Sequence, residues 1–301
     1  MSDFVRQQDT ICDFSTSDSW VILSPIEQSI KKKIEAVGTP LKDWDIQINY
    51  GIKTGCNEAF IISPEKRKEI LDNCQTEDER KRTAELIRPI LRGRDIKRYG
   101  YVDNGLFLIN THNGIRNKLP RIDINDYPAV KTHLDQYWDR ISTRADKGDT
   151  PYNLRNCAYL EDFSKPKVVY MEIQTDNPEE GYPFPCYSYD DNRCIVLNTA
   201  YIMSSETTDP RYVLGILNSR LGKFLVKLYV IQLQERQFRM LSQYVMNFPI
   251  AHPTKEQENE MIHLVQDVLV HQSLASEKRI DNLAFQIYGL TEIEIKSLIS
   301  R

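Results

Sequence analysis

The chain reads as an α+β protein, with a mixed β-sheet body, flanking helices and a C-terminal helical segment. Strand-type runs rich in β-branched and aromatic residues share the chain with stretches of helical periodicity. The two kinds of segment do not alternate regularly, which disfavours a doubly wound parallel sheet. Past residue 250 only helical patterns remain, so the expected organisation is a lead-in over 1–23, a mixed body over 24–250 and helices over 251–301.

Each element has its own signal. Ser24-Pro25-Ile26-Glu27 is a helix start, with a capping serine, proline at the first position and glutamate three residues after the cap. Ile26, Ile30, Ile34 and Val37 then share a face until Gly38. Ile46, Ile48 and Tyr50 alternate as a strand, GIKTG (51–55) interrupts it, and Phe60 and Ile62 resume: strand, tight loop, strand. Residues 64–90 are a charged helical stretch. GLFLIN (105–110), KVVYMEI (167–173) and CIVLNTAYIM (194–203) are expected strands, and 127–145 a helix carrying Val130, Leu134, Tyr137, Trp138 and Ile141. Residues 212–229 repeat apolar positions as one buried helix, Pro249 and Pro253 bracket a connector, and amphipathic helices follow at 254–271 and 274–287, with a last turn or two in TEIEIKSLIS. Trp20, Trp44 and Trp138 are expected as core anchors rather than as stacking platforms.

Composition narrows the function classes. A chain of 301 residues with 41% hydrophobic and 27% charged residues is globular rather than disordered. No apolar run approaches the roughly 20 residues of a membrane span, and MSDFVRQQDT has no secretory apolar stretch. Cysteines 12, 56, 74, 157, 186 and 194 form no CxxC pair, and the five histidines have no metal spacing, which implies reduced thiols and a cytoplasmic setting without a membrane partner.

The net charge of −4 hides a strongly uneven distribution. Residues 88–98 hold five bases against Asp95, 211–240 hold six against Glu235, and 171–191 hold six acids and no base. Such clusters are either solvated faces balanced by nearby acids or a basic surface for a polyanion, which responds to the face it meets. The phosphate-cradling, nucleophile-elbow and zinc motifs are all missing. The acid-x-lysine triplets Asp95-Ile96-Lys97 and Glu294-Ile295-Lys296 leave a metal-dependent nuclease as one alternative, and a scaffold whose helical tail docks a partner polypeptide as another. The lack of a catalytic constellation favours a binding part over an enzyme.

GIKTGCNEAFII followed by LIRPILRGRDIKRYGY resembles the TaqI-like C-terminal specificity domain of type IIG restriction–modification enzymes, the target recognition domain attached to an N6-adenine DNA methyltransferase. WVILSPIEQSIKKKIEAVGTPLKDWDI, FSKPKVVYMEI, YVLGILNSRLGKFL and IDNLAFQIYGLTEIEI follow the family order over roughly 20–297. FPIAHPTKEQENEMIHLV resembles the exit segment shared with type I specificity subunits. The resemblance implies sequence-specific double-stranded DNA recognition by the 24–250 body, within a monomeric chain. It places the methyltransferase core, S-adenosylmethionine and any Mg²⁺-dependent nuclease in a domain or subunit before residue 1, with no cofactor and no catalysis in this chain.

On that reading GIKTG is a recognition loop, its glycines allowing a tight turn and close approach while Lys53 and Thr54 supply a charge and a hydroxyl at the tip. Asn57 either reads adenine through its amide or caps the next turn. Arg92, Arg94, Lys97 and Arg98 either neutralise phosphates and fork onto guanine, with Asp95 orienting one of them, or form a structural salt-bridge knot. Arg144 and Arg155, near Arg140, Lys147 and Tyr152, suit a base-reading loop as well as any solvated one. Arg236, Gln237 and Arg239 are candidates to line a groove.

Overall fold

The computed structural model describes residues 23–177, 183–234 and 236–300. Trp20, Cys12, Glu179, Glu180 and Glu235 lie outside the described residues. The chain forms two compact units, one from the described parts of 1–47, 172–187 and 205–301, the other from 48–171 and 188–204.

Helix α1 (Pro25–Val37) begins as expected: the Glu27 amide donates to Ser24 Oγ at 3.4 Å and the Ser24 amide to Glu27 Oε2 at 2.7 Å, a complete capping box. Ile30 and Ile34 are wholly buried, but Ile26 and Val37, at the two ends of the same stripe, are exposed because the core does not extend under the terminal turns. Strand β1 (Gly38–Pro40) follows at once, and Gly38 is required there, since a Cβ would sit 2.4 Å from the Pro249 carbonyl oxygen.

Strand β2 (Gln47–Tyr50) leads into GIKTG, but the loop does not close a hairpin. A helical turn, α2 (Asn57–Phe60), comes next, and only Ile61–Ile62 (β3) is extended. The alternation of Phe60 and Ile62 reads as a strand because both are buried, although Phe60 closes a helical turn. The charged stretch holds α3 (Pro64–Asp72) and α4 (Glu77–Leu86), capped by Ser63 and Thr76, and ends earlier than expected because Ile87–Leu91 pairs as β4. Strand β5 (Phe107–Ile109) is where the sequence places it. The 127–145 stretch divides into α5 (Pro128–Asp135) and α6 (Trp138–Ile141); Val130, Leu134 and Ile141 are core, whereas Trp138 is 44% exposed beside Tyr152 and anchors nothing. Trp44 is half-buried, stacked 4.1 Å from His252.

The KVVYMEI run becomes β6 (Lys167–Met171) and the start of β7 (Ile173–Thr175), followed by β8 (Tyr187–Asp190). CIVLNTAYIM is two strands in different sheets, β9 (Ile195–Val196) and β10 (Ala200–Ser204), with Leu197-Asn198-Thr199 turning between them. The 212–229 helix also divides, into α7 (Pro210–Asn218) and α8 (Arg220–Tyr229), because the Ser219 hydroxyl accepts the Gly222 amide and restarts the helix. Strands β11 (Gln232–Gln234) and β12 (Gln237–Arg239), a short α9 (Ser242–Val245) and β13 (Pro249–Ala251) lead to the C-terminal helices α10 (Lys255–His271), α11 (Leu274–Ile287) and α12 (Glu292–Ile299). These match the expected amphipathic helices closely, each with its own serine or threonine cap.

The sheets are small. Two four-stranded sheets, ordered β3-β5-β4-β9 and β2-β10-β6-β8, belong to the unit of 48–171 and 188–204 but for their end residues Gln47 and Tyr187; β11-β12-β7 and β1-β13 belong to the other. The fold is α+β, as the mixture of periods predicts. No helix among the described residues is long and apolar enough to cross a membrane.

Candidate nucleic-acid interface

GIKTG is fastened to the Leu197–Thr199 turn by backbone pairing. The Ile52 amide donates to the Val196 carbonyl at 2.7 Å, the Asn198 amide to the Ile52 carbonyl at 3.0 Å, and Gly51 to the Ala200 carbonyl at 3.0 Å. Gly51 does permit a close approach, but to the chain's own backbone: a Cβ there would lie 2.2 Å from the Leu197 oxygen. Gly55 adopts φ +67°, the left-handed region that glycine enters without strain. Thr54 is not at an exposed tip. It is 1% exposed, its hydroxyl donating to Asn57 Oδ1 at 2.5 Å and accepting the Cys56 amide at 3.2 Å, which starts α2. Lys53 is half-buried, its ammonium 5.8 Å from the Tyr50 ring centroid, and Asn57 is exposed.

Arg144 explains how the loop keeps this shape. It is 7% exposed and lies 4.5 Å over the Phe60 ring. Its Nη1 donates to the carbonyls of Thr54 and Asp146, and its Nη2 to those of Pro151 at 3.0 Å and Asn153 at 2.6 Å. Burial pushes its pKa down to about 10, so at neutral pH it remains a cation held by backbone dipoles. Arg144, expected from the sequence in a base-reading loop, clamps four backbone carbonyls inside the unit. Arg155 is exposed and pairs with Asp146 at 3.3 Å.

The RGRD turn reaches the same Leu197–Thr199 segment from the other side. The Leu197 amide donates to the Leu91 carbonyl at 2.8 Å, and the Gly93 amide to Thr199 Oγ1 at 2.8 Å. Arg92 forks onto Asp95 through Nε at 2.9 Å and Nη2 at 2.8 Å, and Asn104 donates to the same carboxylate at 2.8 Å. Burial alone would raise the Asp95 pKa, but the hydrogen bonds and charge of Arg92 hold it below the usual carboxylate range. Asp95 is thus spent on organising the turn, and Glu294, taken by Ser29, Lys33 and Thr291, is likewise spent. Neither acid-x-lysine triplet offers an open carboxylate. Arg92 is in the knot, Arg98 lies 5.0 Å from the Tyr99 ring, and Arg94 and Lys97 are exposed with no ion pair among the described residues, the Lys97 ammonium donating to the Arg94 carbonyl at 3.3 Å.

Where the loop, the Leu197–Thr199 turn and α6 meet there is a shallow depression of about 330 Å³, lined by Lys53, Asn57, Glu58, Arg140, Asp146 and Asn198 among others. Its own backbone amide, and then Arg140 at 3.1 Å, hold the Glu58 carboxylate below its ordinary pKa. Sequence reasoning missed Asn198, since a continuous strand assignment hid the turn that carries it. The basic residues of 211–240 lie in the other unit and are mostly paired: Lys223 and Lys227 flank Asp176 at 3.0 and 3.1 Å, Arg211 holds Asp209, Arg220 holds Asp281, and Arg239 holds Glu172 at 2.9 Å. Gln237 is half-buried in β12, and Arg236 is exposed at φ +64°.

The model of the TaqI-like C-terminal specificity domain matches residues 88–250, more than half of the chain. The chain belongs to that family. The TaqI-like match spans the RGRD turn, Asn198 and β12, while GIKTG precedes it. The type II methyltransferase M.BanIII of Aneurinibacillus aneurinilyticus is 20% identical over 265 residues, 82% of this chain and 42% of that protein, so the chain spans less than half of its relative's length. Two solved structures share the fold. The type IIL restriction-modification enzyme MmeI, determined in complex with DNA, is 14% identical with a TM-score of 0.59, over 87% of this chain and 37% of that one. The type IIG restriction endonuclease BpuSI is 13% identical with a TM-score of 0.51, over 88% and 34%.

Proposed function

We propose that this TaqI-like domain recognises a specific sequence in double-stranded DNA and holds it for an adenine-specific methyltransferase of a restriction–modification system. The family match through the RGRD turn carries the reading. The outward Arg94 and Lys97 supply unneutralised charge for phosphates, which fix register, while GIKTG and the Leu197–Thr199 turn present Lys53 and amides for base edges, which specify sequence. On this reading residues 24–250 recognise DNA, residues 251–301 complete the fold, and the chain acts as a cytoplasmic monomer without catalysing methyl transfer. S-adenosylmethionine, and Mg²⁺ where a nuclease is present, belong to the methyltransferase and nuclease parts.

Selection of a randomised duplex library on the chain, with retention followed from about 50 to 200 mM salt, tests this. Enrichment of a defined motif with retention falling steeply as salt rises is expected. Retention that ignores salt and enriches no sequence refutes it.

A further inference from the structure

We propose that Asn198 is a specificity-determining residue whose side-chain amide reads an adenine edge beside Asn57, an assignment that rests on the DNA reading above. The depression it lines carries two cations, Lys53 and Arg140, and two anions, Glu58 and Asp146. A phosphate site requires net positive charge, whereas base edges are neutral patterns of donors and acceptors. The balanced depression suits base edges, and the outward Arg94 and Lys97 suit phosphates.

Among the uncharged polar side chains of that depression, hydrogen-bonding capacity singles out Asn198. Arg140 is committed to Glu58, Asp146 accepts from Arg155 at 3.3 Å, and Asn57 Oδ1 accepts from Thr54. The half-buried side-chain amide of Asn198 makes no hydrogen bond among the described residues. Its backbone is nevertheless fixed, the amide on the Ile52 carbonyl at 3.0 Å and the preceding Leu197 bridged to Ile52. A carboxamide on a fixed backbone offers one donor and one acceptor side by side, the pattern that matches adenine N7 and N6. The amide of Asn57, whose NH₂ is not engaged by Thr54, lines the same depression.

The test is library selection with wild type, Asn198→Ala and Asn198→Asp, the last keeping shape but replacing the donor with an acceptor. Both variants should lose roughly ten-fold or more of the preference for adenine at one position. Other positions, the salt slope and the melting temperature should stay as in wild type. A wild type that enriches a motif while both variants keep every preference overturns the assignment and leaves the DNA reading standing. So does a lower salt slope with unchanged preferences, which marks a phosphate contact, or a uniform loss with a lower melting temperature, which marks a structural role. A wild type that enriches nothing removes the reading and this assignment together.

Discussion

Replacing Arg144 by alanine separates a clamp from a DNA contact. The guanidinium serves four backbone carbonyls, those of Thr54, Asp146, Pro151 and Asn153, and covers the Phe60 ring. A hydrogen bond to a charged group contributes about 1.5–3 kcal/mol, and a carbonyl left buried without a partner costs about 1–3 kcal/mol. Two nitrogens share the four bonds and water can enter the vacated space, so the sum is strongly sub-additive. The expected loss is about 3–5 kcal/mol, the size seen when a buried charged partner is removed. That is a large share of the roughly 5–15 kcal/mol that holds a domain folded, and corresponds to a fall of about 10 °C in melting temperature. Arg144→Lys should recover only part of it, because one ammonium cannot fork to four carbonyls. Urea and thermal melts measure the loss, and hydrogen exchange at residues 52–57 should show the GIKTG loop opening first. In the fraction that folds, the salt slope of DNA retention should be unchanged. An Arg144→Ala protein that melts like wild type but has a slope lower by about one unit refutes the clamp.

Further outcomes follow from the same geometry. Arg94→Ala and Lys97→Ala should each lower the salt slope by roughly one unit without changing the melting temperature, whereas Arg92→Ala should strand the Asp95 carboxylate, destabilise by about 1–3 kcal/mol and leave the slope alone. Denaturant melts with retention at several salt concentrations distinguish the two classes. Gly51→Ala should cost about 1–3 kcal/mol or more by driving a methyl onto the Leu197 backbone, while Gly55→Ala, strained by its φ and by a Cβ 3.1 Å from Asp146 and 3.3 Å from Arg144, should cost about 1–3 kcal/mol, as urea melts will show. Bonds from Lys33, Thr291 and Ser29 outweigh the opposing effect of burial and hold Glu294 near a pKa of about 2, below its ordinary 4.5. The folded state favours the carboxylate, so this contribution is full above pH 4.5 and fades as the pH falls toward 2. Glu294→Gln should flatten the acid limb of the stability profile; a parallel profile would sink the assignment.

What the sequence determined alone is local. The Ser24 capping box, the caps ahead of α10, α11 and α12, and the apolar stripes Ile30–Ile34 and Val130–Leu134 are set by neighbours within one or two helical turns, so they are legible without a fold. The ordered blocks around GIKTG and RGRD carried the family, because they are short, close in sequence and chemically distinctive. The tertiary structure decided everything that depends on distant partners. Whether Phe60 and Ile62 form a strand, or 194–203 one strand or two, turns on which sheet accepts each backbone edge, and local periodicity does not encode that choice. Whether a given arginine is a clamp, a knot or a free cation depends on acceptors far along the chain: Arg144 finds the Thr54 carbonyl 90 residues away, Arg239 finds Glu172 67 residues away, and Arg94 finds no acid among the described residues. Asn198 was invisible for the same reason, because the turn that presents it exists only where Gly51 and Gly93 bring two remote backbones against Leu197 and Thr199.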